Sequence, residues 1–373
     1  MPRPPRVPAD HRLPAFPWDS LADAKATAQQ HPDGMVDLSV GTPVDPVADS
    51  IQKGLADGAA APGYPQTIGT AQLRQALTDA MTRRYRTIEL DPDSQVLPVV
   101  GTKEAIAWLP FILGIGEGHT IVIPELAYPT YEVGARLSGA DFVRADSTLQ
   151  LGPSTPTLMY LNSPANPSGK VLGVEHLRKV VSWARERDVI IASDECYLGL
   201  SWDQEAVSIL DPRVCDGDTT NLLAIHSLSK TSNLASYRAG WFAGDPKLIS
   251  ELLETRRHAG LMMPGPVQQA MIVALGDDAQ EREQRRRYAR RRELLRAALL
   301  DSGFTIDDSD GGLYLWVSRG IDCRETVDWF AERGVLVAPG DFYGPKGHQH
   351  VRIGLTATDE KIEAAASRIA ADN

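Results

Sequence analysis

The run Ser227-Leu228-Ser229-Lys230 sets an amine behind two hydroxyl side chains, and Arg238 follows in Ser236-Tyr237-Arg238-Ala239-Gly240. These residue types suit an aldehyde carried on a phosphorylated ligand: the amine can make a Schiff base while hydroxyls and a guanidinium hold the anion. Similar tetrapeptides also occur in solvated loops, so the run needs support from elsewhere. A second stretch, Asp194-Glu195-Cys196-Tyr197, follows the apolar Ile190-Ile191-Ala192-Ser193. A carboxylate at the end of a buried strand is costly unless paired, which calls for a cationic partner in the site; the plain alternative is a helix cap following the strand. A third, Asn162-Ser163-Pro164-Ala165-Asn166-Pro167-Ser168-Gly169, has the composition of an ordinary turn.

The elements that would position these residues follow from the pattern. Short apolar runs at 96–100, 120–124, 142–145, 157–162, 189–193, 222–225 and 240–244 alternate with amphipathic helical stretches. Near-continuous apolar strands separated by helices imply an α/β fold with a mostly parallel sheet covered on both faces, where ligands bind at the carboxyl ends of strands. Before the sheet, helices are expected at 18–30, with Asp19 or Ser20 near the cap, and at 47–57 and 71–85, with an alternating segment at 35–39. A polar helix at 277–300 leads to a smaller α+β unit with strands at 312–317, 335–338 and 350–354 and a last helix at 358–371 capped by Thr358. The expected division is 1–45 as an N-terminal arm and small-domain segment, 46–276 as a large domain and 277–373 as a small C-terminal one.

Composition bounds the rest. The chain has 373 residues, 43% hydrophobic and 23% charged, with no apolar run near the ~20 residues of a membrane span, so a soluble protein is expected. Residues 1–16 hold five prolines and no apolar core, unlike a signal peptide, and read as a loose arm. Three scattered cysteines argue against a disulfide framework or a zinc site and fit a reducing cytoplasm. A net charge of −11 opposes nucleic-acid binding, and the basic run 285–292, flanked by Glu281, Glu283 and Glu293, reads as a solvated helix face. Cys196 reads as a small buried hydrophobe, His348 and His350 as surface residues without metal-ligand spacing, and Trp108, Trp241 and Trp316 as core.

Taken in order, Gly101-Thr102-Lys103-Glu104, Tyr128-Pro129, Asn166-Pro167-Ser168-Gly169, Asp194-Glu195-Cys196-Tyr197, Ser227-Leu228-Ser229-Lys230 and Arg238 resemble the class I/II aminotransferases, pyridoxal-phosphate enzymes of fold type I, from about residue 16 to the end. That fold implies a mixed, mostly parallel seven-stranded sheet between helices plus a smaller α+β domain. Phe16-Pro17-Trp18-Asp19, Val40-Gly41-Thr42-Pro43-Val44-Asp45-Pro46, Asp194-Glu195-Cys196-Tyr197-Leu198-Gly199 and Ala338-Pro339-Gly340-Asp341-Phe342-Tyr343-Gly344 look more narrowly like the actinobacterial succinyldiaminopimelate aminotransferases of lysine biosynthesis.

The resemblance implies roles position by position. Lys230 would form the Schiff base and then move the proton at the substrate Cα, its charge disfavoured by the cofactor and Arg238. Asp194 would pair with the pyridine nitrogen, Asn166 and Tyr197 would donate to the ring oxygen, and Tyr128 would stack on the ring. The phosphate would lie at the helix start after Gly101, on the amides of Thr102 and Lys103, with Ser227, Ser229 and Arg238. Tyr64 would reach the neighbouring subunit's phosphate, making the active unit a homodimer. Arg352 would clamp the substrate α-carboxylate, with Gly41 in the same pocket and Asn162 in support. The bond before Pro167 is often cis in this family. Ser168 replaces a more usual threonine and Lys103 a more usual uncharged residue; Lys103, Arg257 and His258 are candidates for a distal carboxylate.

The implied activity is ping-pong amino transfer through pyridoxamine phosphate, with glutamate and 2-oxoglutarate as one pair and N-succinyl-LL-2,6-diaminopimelate and N-succinyl-2-amino-6-oxopimelate as the other. Alternatives on the same scaffold are an aspartate, alanine or aromatic aminotransferase or a carbon-sulfur β-lyase. A cofactor-binding regulator is a third class, opposed by the acidity and by the lack of room for a DNA-binding domain before Trp18.

Overall fold

A computed structural model of the chain describes residues 8–370. The expected loose arm therefore lies partly outside the described residues, and within them Ala9–Arg12 makes a 3₁₀ turn that buries nothing. After the first strand, β1 (Val36–Asp37), come β2 (Val96–Val100), β3 (Thr120–Ile123), β4 (Asp141–Arg144), β5 (Leu158–Asn162), β6 (Ile190–Asp194), β7 (Leu222–Ser227) and β8 (Ala239–Gly244). The last seven form one sheet in the order β2-β8-β7-β6-β5-β3-β4. Its pairings are parallel except the two made by β8, which runs against β2 and β7.

Every position of β5, β7 and β8 is buried, as a strand covered on both faces requires, whereas β4 at the edge alternates exposed with half-buried. Helices Ala71–Tyr85, Val174–Arg185 and Gly265–Gly276 pack on one face and Thr102–Ile112, Thr130–Ser138 and Pro246–Ala259 on the other. In Val174–Arg185 the buried Leu177, Val180, Val181 and Ala184 recur at three- and four-residue spacing, the stripe that a sheet-facing helix needs.

Downstream lie β9 (Thr305–Asp307), β10 (Tyr314–Ser318), β11 (Val335–Leu336), β12 (Ala338–Pro339) and β13 (His350–Gly354). Four of these make an antiparallel sheet ordered β12-β13-β10-β9, and β11 pairs in parallel with β1. Leu21, Ala24, Ala28, Val36 and Leu38 join the apolar core around this sheet, so the N-terminal helix packs with the chain's far end. The last helix, Asp359–Ala370, starts behind the Thr358 hydroxyl, which accepts from the Lys361 amide at 3.4 Å; residue 371 lies outside the described residues.

Some expectations need correction. The first helix is Ala22–Gln29 behind a 3₁₀ turn, Pro17–Leu21, and neither Asp19 nor Ser20 caps it. Trp108 is 40% exposed, edge-on to Phe111, because it sits on the outer side of Thr102–Ile112; Trp241 and Trp316 are core. The basic run is not wholly solvated: Arg291 is buried between Asp45 and Asp359, each at 2.6 Å, and buried Arg292 pairs with Asp203. His350 is half-buried, 2.7 Å from Asp307 and stacked on Trp316, while His348 is exposed. Among the described residues no helix is long and apolar enough to cross a membrane.

Candidate active site

The parallel strands deliver the chemical residues to one sheet edge. Asn162, Asp194 and Ser227 end β5, β6 and β7, with Asn162 opposite Asp194 and Asp194 opposite Ile225. Because β8 is reversed, its first residues lie at that same edge: Ala239 is opposite Val100 and Gly240 opposite Ser227. Gly101 after β2 and Arg238 before β8 are thereby brought together.

Gly101 has φ +81°, and a Cβ on it would fall 2.2 Å from Arg238 Nη2, so the guanidinium occupies the space a side chain would need. The helix Thr102–Ile112 starts there, offering free amides at Thr102 and Lys103. Arg238 holds its own left-handed φ of 58° and donates from Nη1 to the Ala235 carbonyl at 3.0 Å. Ser227 Oγ accepts from the Ser229 amide at 3.0 Å and donates to the Ala239 carbonyl at 3.3 Å, and Ser229 is buried. The Lys103 side chain is exposed, 5.9 Å from the Phe16 ring centroid.

Asp194 is buried, yet its carboxylate partners among the described residues are neutral: Tyr131 donates to Oδ2 at 2.8 Å and the Cys196 amide to Oδ1 at 3.2 Å. Residues 196–199 after β6 form a turn and not a helix, so the bond from Cys196 caps a turn where a helix cap was the alternative expected from sequence, and no cation among the described residues hydrogen-bonds the carboxylate. Burial raises the Asp194 pKa above the ordinary carboxylate value, against the pull of these bonds. Cys196 Sγ lies 3.4 Å from Thr102 Oγ1, and burial and Asp194 hold its thiol well above the usual range, which leaves it protonated. Tyr128 meets Tyr131 edge-on at 5.9 Å between centroids, and burial pushes its phenol up to about 12.

Lys230 Nζ donates to the Gly41 carbonyl. Its pKa is lowered first by burial, with Arg352 and Arg238 adding to the effect and Tyr314 and Cys196 opposing it, so burial rather than Arg238 leads. Arg352 is buried on β13, with Nη1 donating to Asn166 Oδ1 at 2.8 Å and Nη2 to the Ser39 carbonyl at 2.6 Å. Its Nε is buried without a partner among the described residues. Burial works against its charge, but the phenols of Tyr343, Tyr314, Tyr197 and Tyr128 keep its pKa raised. Asn162 supports this clamp one step away: its Oδ1 accepts from the Asn166 amide at 2.7 Å and its Nδ2 donates to the Asp194 carbonyl at 2.9 Å. The bonds before Pro164 and Pro167 are both cis; sequence reading raised only the second.

Sequence reasoning missed Tyr131 and Tyr314. Tyr131 sits one helical turn from Tyr128, and Tyr314 lies in the apolar strand β10, where it reads as core. Tyr314 has its ring centre 3.9 Å from the Arg352 guanidinium and its hydroxyl 3.2 Å from that of Tyr197. Tyr64 stands apart from the cluster, 97% exposed.

The description "Aminotransferase class I and II" matches residues 33–369. The chain belongs to this family. A probable aminotransferase of Mycobacterium tuberculosis is 63% identical over 96% of this chain and 85% of that protein. The 4-dedimethylamino-4-oxo-anhydrotetracycline transaminase of Streptomyces rimosus is 53% identical over 96% of this chain and 99% of its own. Among solved structures, a probable N-succinyldiaminopimelate aminotransferase from Thermus thermophilus superposes with a TM-score of 0.85 at 25% identity, covering 96% of this chain and all of that one (100%). The aminotransferase fold uses pyridoxal 5′-phosphate, and the site fits it. Among the described residues the buried Asp194 carboxylate has only neutral hydrogen-bond partners, burial disfavours the Lys230 charge, and the Gly101–Arg238 contact places a guanidinium at a helix start.

Proposed function

We propose that this aminotransferase works on N-succinyl-LL-2,6-diaminopimelate and its keto acid, N-succinyl-2-amino-6-oxopimelate, with glutamate and 2-oxoglutarate as the second pair, as a cytoplasmic homodimer in lysine biosynthesis. The observation that carries an α-amino acid site is the wall shared by amine and clamp. Lys230 is bonded to Gly41, and a Cβ on Gly41 would fall 2.0 Å from the hydroxyl of Tyr314, on whose ring Arg352 lies. The orphaned Nε of Arg352 is a buried donor suited to a carboxylate oxygen.

Pyridoxal phosphate, when bound, supplies the aldehyde that takes up the amino group and the ring that accepts electrons from the substrate Cα. Lys230, whose charge burial disfavours, removes and returns the Cα proton. Asp194 would hold the ring nitrogen protonated, Asn166 and Tyr197 would donate to the ring oxygen, and Tyr128 would cover one ring face. The amides of Thr102 and Lys103, with Ser227, Ser229 and Arg238, would hold the phosphate. Residues 46–276 would form the cofactor unit, and 1–45 with 277–373 the unit that brings Arg352 to it. Tyr64, exposed in the single chain, suits a contact to the other subunit's phosphate. For the distal carboxylates Lys103 is the better placed candidate, since Arg257 is already paired with Glu254 at 2.9 Å and His258 is exposed beside it.

A second reading is amination of a polycyclic ketone, favoured by the 53% identity to the anhydrotetracycline transaminase. The test loads the purified enzyme with glutamate and scans acceptors for return of the cofactor absorbance. Fastest return with N-succinyl-2-amino-6-oxopimelate supports the first reading; a rate no better than with oxaloacetate or pyruvate sinks it. Preference for an anhydrotetracycline-type ketone selects the second, and pyruvate and ammonia formed from a substrate bearing a β-leaving group, without any acceptor, would mark a β-lyase.

A further inference from the structure

Tyr314 ties together three groups of the candidate site. Its strand, β10, is locked in register against β13, with Tyr314 opposite Gly354 and Trp316 opposite Arg352. The side chain is buried at 4% exposure, its ring lies under the Arg352 guanidinium, and its ring meets that of Tyr197 edge-on at 74°. The contact with Gly41 is close enough that a methyl group there would collide with the hydroxyl, so the glycine leaves room for a phenol.

We propose that Tyr314 is a positioning residue for amino transfer, whose hydroxyl orients the Tyr197 hydroxyl and whose ring holds the Arg352 guanidinium. The inference rests on the aminotransferase reading and on the ring-oxygen role given to Tyr197. A phenol has one proton to donate. If Tyr197 gives its proton to the cofactor ring oxygen, the 3.2 Å contact must be a donation from Tyr314 to Tyr197, and both O–H groups point the same way. Losing the Tyr314 proton reverses that contact and draws the Tyr197 proton away from the ring. The groups facing Tyr314 are Arg352 on β13, Lys230 after β7, Tyr197 and Cys196 after β6, and the phenols of Tyr128, Tyr288 and Tyr343. Burial raises its pKa, but Arg352, Lys230 and Tyr197 together bring it below the ordinary tyrosine value, whereas burial and Tyr314 push Tyr197 up. The two phenols are therefore unlike, with Arg352 lying on the ring of Tyr314.

The test compares wild type, Tyr314→Phe, Tyr197→Phe, the double variant and Gly41→Ala, each loaded with pyridoxal phosphate, by the pH midpoint of the bound-cofactor absorbance. A wild type that takes up no cofactor would end the functional reading and this inference with it. Given uptake, Tyr314→Phe is expected to move the midpoint by about half a pH unit or more. The double variant should match Tyr197→Phe alone, since the hydroxyl acts through Tyr197. Gly41→Ala, which displaces the hydroxyl while leaving Tyr314 in the chain, should also move it, and decides the matter if a variant at 314 folds poorly. The KM for the amino donor should stay within about twofold in Tyr314→Phe, which keeps the ring, and rise about tenfold in Tyr314→Leu, which removes it. An unmoved midpoint in Tyr314→Phe and Gly41→Ala, or shifts that simply add in the double variant, would overturn the proposal.

Discussion

Arg352 has two of its nitrogens committed to protein oxygens and a third without a partner among the described residues, an arrangement that a planar guanidinium makes and an ammonium cannot. Arg352→Lys should therefore raise the KM for the amino donor roughly tenfold to a hundredfold, the equivalent of the ~1.5–3 kcal/mol of a charged hydrogen bond, with a smaller change in kcat. Steady-state kinetics with glutamate reads this directly; equal losses in kcat and kcat/KM would contradict a ground-state clamp. Asp194 makes an opposite kind of demand. Its folded pKa is raised by burial, so its contribution to stability is full below the unfolded value of about 3.9 and is lost as pH rises through the folded value. In the cofactor-free protein, Asp194→Asn should raise Tm at pH 7 by roughly 2 °C, the shift that ~1 kcal/mol produces in a large domain, and the gain should shrink toward pH 4. With pyridoxal phosphate added, the wild type should gain more in Tm than the variant, because its carboxylate then has the ring nitrogen to meet. Thermal melts at the two pH values, with and without cofactor, check both signs.

The elements explain why some of this was legible in the sequence and some was not. Each apolar run read as a strand of the large sheet is one; apart from β4 at the edge, a strand buried on both faces leaves a continuous apolar signature, and the residues at the carboxyl ends follow from it. Lys230, Asp194 and Arg238 stood out because charged residues are rare at such places. Tyr131 and Tyr314 were invisible for the converse reason: a tyrosine in an apolar helix or strand looks like core until the partner of its hydroxyl is known. Trp108 and Arg291 failed in opposite directions, since a tryptophan on a helix need not face inward and an arginine in a charged run can be buried once two carboxylates meet it. The corner made by β2, β8 and the helix start gives a prediction at this scale. Gly101→Ala places a methyl group against Arg238 at φ +81° and ψ 149°, backbone angles nearly reserved for glycine, a strain of ~1–3 kcal/mol before any displacement of the guanidinium. Its affinity for pyridoxal phosphate, measured by equilibrium dialysis, should fall about tenfold or more; an unchanged affinity would remove Arg238 from the phosphate site.

At the scale of the molecule the question is whether one chain holds a complete site. Tyr64 lies in an irregular loop and is 97% exposed, a position in which a bulky aromatic gains little from its own chain. Phe16 and Phe111 add to the apolar surface at 57% exposure each. If Tyr64 serves the partner's phosphate, a heterodimer of one Tyr64→Ala chain and one Lys230→Ala chain contains one site with both residues intact and one with neither. Random pairing of the two variants makes half the dimers mixed, so activity should return to about a quarter of the wild-type value, while each parent alone stays low. If Tyr64 acted within its own chain, no mixed dimer would have an intact site and mixing would restore nothing. Subunit exchange monitored by native mass spectrometry, with activity measured on the same sample, separates the two arrangements, since inactive mixed dimers would count against a site shared between chains.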